Sequence, residues 1–158
     1  MYKISLTYEG RKIHIEMEHR ISILSDDSGI GKTFVAKAIN NSLNVKQYSD
    51  IQATINDKEC SIDVIFDECE KEKAISTITK AQDMVIIDEA DKLFALYPAV
   101  LDVLQENDKA VFLLILRGEP DNYVTSPLQY LTFTTNGKEI TIKPYKSKVN
   151  SFYKEVIK

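Results

Sequence analysis

Asp26-Asp27-Ser28-Gly29-Ile30-Gly31-Lys32-Thr33 is the stretch on which the reading of this 158-residue chain turns. Seven of its eight positions satisfy the phosphate-loop pattern G-x-x-x-x-G-K-[ST]; the exception is Asp26, where the pattern has its first glycine. A short apolar run, 21–24, precedes it. Phe34, Val35, Ala38 and Ile39 follow at helical spacing until Asn40-Asn41. Strand, loop and helix therefore come in the order the pattern requires. Gly29 and Gly31 permit the tight turn that lets backbone N–H groups converge on an anion. The helix beginning near Lys32 directs its positive end to the same place. The backbone of Asp27, Ser28, Gly29, Ile30, Gly31, Lys32, Thr33 and Phe34 is the expected phosphate cradle. Lys32 adds a point charge for the β- and γ-phosphates, and the Thr33 hydroxyl is suited to Mg²⁺. Asp26 tolerates a left-handed backbone better than most residues, but its carboxylate and that of Asp27 oppose an anion unless they point away.

About 55 residues later, Met84-Val85-Ile86-Ile87-Asp88-Glu89 is an apolar run ending in two acids. Such a run reads as a strand covered on both faces, delivering Asp88 to the sheet's carboxyl edge, where α/β folds bind ligands. Asp88 is the second expected Mg²⁺ ligand. Glu89 is the expected base for a water attacking the γ-phosphate.

The rest of the pattern fits around these two motifs. Alternation over 2–8 and 13–17, with Glu9-Gly10-Arg11 between, predicts an N-terminal hairpin within 1–18. Strands are expected at 51–55, 62–66 and 110–116, and helices at 68–81 and from Pro98 to about Glu106. Within 128–158, Asn136-Gly137 predicts a second hairpin, and Val149, Phe152, Tyr153, Val156 and Ile157 an amphipathic helix with Ser147 as its cap. Lys92, Leu93, Phe94 and Tyr97 read either as core or as a partner contact. Apolar strands alternating with helices predict a single α/β domain over 1–158, three-layered with a mostly parallel sheet and antiparallel additions at both ends.

Composition is that of a folded domain, 44% hydrophobic and 28% charged. A net charge of −4 gives no support to a dominant nucleic-acid role. Residues 138–158 carry six Lys against two Glu. This basic end reads as a solvated surface or as a contact for an acidic partner or nucleic acid. Two cysteines, Cys60 and Cys69, make no disulfide framework. Lys3 interrupts any leader-like apolar run and no stretch is long enough to span a membrane, so a cytoplasmic setting is expected.

The two motifs together resemble those of P-loop NTPases, in the branch where a catalytic glutamate follows the Walker B aspartate: AAA-type, RecA-like and ABC ATPases. The resemblance covers roughly 21–116 and is closest to a minimal AAA-type domain, without the helical lid that usually follows. It implies ATP as the ligand, and the Walker A strand beside the strand at 110–116, itself beside the Walker B strand. It also places a γ-phosphate sensor near Arg117, where Asn or Thr is more usual; Arg117 could instead pair with Glu119. With only Arg11, Arg20 and Arg117 in the chain, an arginine finger is one of these or comes from another protein. The expected function is Mg²⁺-dependent ATP binding with slow hydrolysis, and the alternative is a non-hydrolysing nucleotide sensor that recruits a protein partner.

Overall fold

A computed structural model describes residues 1–24, 32–44, 50–66, 68–116 and 129–144. In chain order the strands are β1 Tyr2–Tyr8, β2 Arg11–Met17, β3 Ile21–Leu24, β4 Gln52–Ile55, β5 Lys58–Glu59, β6 Ile62–Ile65, β7 Met84–Ile87, β8 Val111–Ile115, β9 Gln129–Asn136 and β10 Glu139–Pro144. The helices are α1 Lys32–Asn44, α2 Lys71–Lys80, α3 Ala90–Leu96 and α4 Pro98–Glu106.

The described strands form one sheet in the order β5-β4-β1-β2-β10-β9-β3-β8-β7-β6. From β9 to β6 every neighbouring pair is parallel. The first motif's strand, β3, lies beside β8, and β8 lies beside β7, as the resemblance implied. The other half is built from hairpins: β1–β2, β1–β4, β4–β5 and β9–β10 are antiparallel, and β2–β10 is parallel. The expected mostly parallel sheet therefore holds only for the half around β3; the whole sheet is mixed. The physical reason lies in the connections. Two-residue loops can join only antiparallel neighbours, whereas each parallel pair needs a crossover.

Those loops are chemically specified. Glu9 and Gly10 have φ of 51° and 77°, and Asn56 and Asp57 of 51° and 68°, so both loops meet the positive-φ demand of a type I′ turn. Arg11, expected within the first turn, is instead paired with Tyr8 in the ladder. The last hairpin also shifts by one residue. Asn136 pairs with Glu139, leaving Gly137-Lys138 as the loop, with positive φ at Gly137 alone. That is the type II′ arrangement, with glycine first.

Two buried clusters line the faces of the sheet. Val35, Ala36, Ala38 and Ile39 of α1 pack with Ile4, Leu6, Ile13, Ile15, Ile140 and Ile142 of the hairpin half and with Leu24, Ile86 and Leu113 of the parallel half. One helix touches both halves because the sheet curls around it. On the other face, Ala74 and Ile78 of α2, Leu93 and Phe94 of α3, and Val100 and Leu104 of α4 meet Ile23, Val85, Ile87, Phe112 and Leu114. Leu93 and Phe94 are thus core, whereas Leu96 is 59% exposed. The helix expected near the C-terminus lies outside the described residues.

At the amino edge of the parallel strands, Asn107 clasps three segments. Its Nδ2 donates to the carbonyls of Ile78 (2.7 Å) and Ala81 (3.1 Å), and its Oδ1 accepts from the N–H groups of Lys109 and Ala110, both at 2.9 Å. Arg20 donates to the carbonyls of Asn107 (2.6 Å) and Ala110 (2.9 Å). Asn107→Ala deletes four hydrogen bonds at a half-buried site. It is expected to lower stability by roughly 2–4 kcal/mol, read from urea unfolding at constant m-value. A loss below about 0.5 kcal/mol would show that water replaces the clasp.

Candidate nucleotide site at the carboxyl edge

All four residues of β7 are buried, with Met84 and Ile86 facing the α1 side and Val85 and Ile87 the other helices. This two-sided burial explains the unbroken apolar run and forces the chain to end the strand in polar residues as it surfaces. Asp88 is only 5% exposed. Its N–H donates to the carbonyl of Ile65 at 2.8 Å, extending the ladder by one residue, and its Oδ1 accepts from the N–H of Glu89 at 3.0 Å. The carboxylate is therefore aimed by the backbone rather than left to rotate.

Glu89 has φ 49° and ψ 46°, the left-handed region, which costs a non-glycine residue on the order of 1 kcal/mol. This conformation turns the chain from strand into α3 within one residue. The Glu89 carbonyl accepts from the Leu93 N–H at 3.1 Å, starting the helix. The Glu89 carboxylate, 27% exposed, lies 3.9 Å from the Lys92 ammonium. A contact that long at the surface is worth at most about 1 kcal/mol.

The strand registers show how the two motifs stand to each other. Leu24 is level with Ile115, and Ile87 with Leu114, so Asp88 is level with Leu24, two strands away. At the usual strand spacing that is ~10 Å. The Leu116 N–H donates to the Leu24 carbonyl at 2.9 Å, so β8 also runs out at this edge, one residue before Arg117. Helix α1 opens at Lys32, after the loop that leaves β3 at the same edge. Asp27, Ser28, Gly29, Ile30, Gly31 and Arg117 lie outside the described residues, as do the side chains of Lys32 and Thr33. Phe34 is described and half-buried.

Arg20 is different. Its guanidinium is engaged at the amino edge, at the far end of the strands, which removes it from the arginines available to a phosphate at this site. The thiols are equally removed from chemistry. Burial and the neighbouring Asp83 carboxylate push Cys60 up to about 11, and burial raises Cys69, which disfavours the nucleophilic thiolate at both. Both are free, as expected. Among the described residues no group of three or more His, Cys, Asp or Glu could hold a metal by itself.

Two features escaped the sequence reading. One is the left-handed turn at Glu89, for which the residue type gives no signal. The other is the cluster of Tyr8 and Arg11 with Phe34 beside the first turn of α1, since Phe34 is far from the other two in sequence.

A parallel half-sheet ordered β9-β3-β8-β7-β6, with a phosphate-loop sequence after its second strand and an acid pair after its fourth, defines a P-loop nucleotide-binding domain. The family model described as the ATPase family associated with various cellular activities (AAA) matches residues 23–145, and the chain belongs to that family. Comparison with curated proteins finds no match. No described helix is long and apolar enough to cross a membrane.

Proposed function

We propose that the chain binds Mg²⁺-ATP at the carboxyl edge of β3, β8 and β7 and hydrolyses it slowly. The supporting observation is the shared level of the strand ends: a buried, backbone-oriented Asp88 stands two strands from the point where the phosphate-loop sequence begins. On this reading the domain is the three-layer P-loop arrangement, with α1 on one face and α2 to α4 on the other. The backbone of Asp27 to Phe34 and the Lys32 ammonium hold the phosphates. Thr33 and Asp88 would hold the metal, which would supply charge neutralisation for the triphosphate. Glu89, next to Asp88 and partly exposed, orients and deprotonates the attacking water. Arg117 contacts the γ-phosphate from the end of β8.

The contact between Glu89 and Lys92 favours a second reading, a nucleotide sensor without turnover that recruits a protein partner. The basic segment 138–158 then offers a surface for an acidic partner.

Calorimetry with ATP, GTP, CTP and UTP, with and without Mg²⁺, alongside phosphate release, tests both. Magnesium-dependent triphosphate binding with measurable release is expected. Binding without release selects the sensor, and no binding of any triphosphate overturns the assignment.

A further inference from the structure

Helix α1 does not begin in open solvent. The registers carry β9 five residues beyond the level of Leu24, ~16 Å past the end of β3. The β1–β2 ribbon runs alongside β10, the partner of β9 in this extension, with Lys12 level with Glu139. Its tip, Tyr8-Glu9-Gly10-Arg11, meets the first turn of α1. The Tyr8 ring lies 5.6 Å from that of Phe34 at 57°, and the Arg11 guanidinium sits 5.6 Å over the Phe34 ring. Asn41, two turns further along α1, donates to the Tyr8 hydroxyl at 2.8 Å. Phe34 and Asn41 are seven residues apart and share one helical face, so the Tyr8 side chain is fastened along that face. Arg11 is exposed, and no carboxylate pairs with it among the described residues.

From this placement we infer that the hairpin tip is the nucleobase platform of the site, with the Arg11 guanidinium plane and the Tyr8 ring stacking a purine. The inference rests on the phosphate-binding reading above and adds the residues that select the base. Three observations favour a base over a phosphate as the tip's ligand. The tip carries Glu9, whose charge opposes an anion and whose oxygens accept from an exocyclic amine. Arg11 already packs over a ring, 5.6 Å from its centroid, the cation–π contact that a guanidinium also makes with a base. Phe34 follows the Lys32-Thr33 pair directly in sequence, so the tip contacts α1 next to the residues expected at the triphosphate. Because Tyr8 is anchored to α1, the platform is set before ligand arrives, which spares the ordering cost of binding.

The test is calorimetry of Mg²⁺-ATP, Mg²⁺-CTP and Mg²⁺-tripolyphosphate on the wild type, Arg11→Ala and Arg11→Lys, with thermal melts to confirm folding. Arg11→Ala is expected to weaken ATP binding roughly 5- to 100-fold, the range of one base stack, and to leave tripolyphosphate unchanged. Arg11→Lys keeps the charge but not the plane, and is expected to lose most of the same factor. ATP is expected to bind the wild type more tightly than CTP, and this preference shrinks in both variants. Equal losses for ATP and tripolyphosphate, or an unchanged ATP affinity in Arg11→Ala, overturn the platform. Should tripolyphosphate fail to bind the wild type, the phosphate site itself falls, which is a separate result.

Discussion

Glu89→Gln should bind Mg²⁺-ATP within a few-fold of the wild type while releasing phosphate roughly 10²-fold or more slowly. The amide has the shape of the carboxylate, so the left-handed turn into α3 survives. The contact it forfeits, Lys92 at 3.9 Å, carries little stability at a solvent-facing position. What it loses is the capacity to take a proton from water, and a positioned base contributes about that factor. Single-turnover phosphate release beside calorimetric affinity separates the two quantities. Equal release rates in both proteins would move the chain to the sensor reading and leave the phosphate site untouched.

Lys32→Ala is expected to weaken Mg²⁺-ATP at least ~30-fold, toward the limit of calorimetric detection. Truncating one partner of a hydrogen-bonded charge pair costs about 2–5 kcal/mol, and here the partner is a triphosphate. Lys32 is the first residue of α1, whose positive end the proposal sets at the phosphates. Helix stability is not at stake, because the packing of Val35, Ala36, Ala38 and Ile39 holds α1 in place and alanine is a good helix former. An unchanged affinity in a folded Lys32→Ala protein would remove the phosphate-loop assignment.

The parallel half of the fold was legible because its signals are local. Continuous apolar runs at β7 and β8 mark strands buried on both faces, and Pro98 opens α4 where it was expected. The neighbour relations of β3, β8 and β7 followed from the resemblance and are borne out. The joining of the two end hairpins into one curled sheet was not legible. The β2–β10 pairing brings residues 12–15 beside residues 139–142, and nothing in either strand encodes so distant a partner. At the site, the sequence located Asp88 and Glu89 at the end of β7 because burial of that strand forces the change to polar residues. The backbone reversal at Glu89 stayed hidden, since it is imposed by the packing of α3 rather than by the residue's own preference. Arg20 looked equivalent to Arg11 in a list of three arginines. Only the register, which sends one to the amino edge and the other to the ribbon tip, tells them apart.

The sheet ends in two unlike margins. At one stands β5, two residues long and made of Lys58 and Glu59; at the other β6, four residues with Asp63 turned to solvent. Short margins that carry charge are poor templates for another chain's backbone. Among the described strands, then, neither margin invites copies of this protein to pair strand to strand.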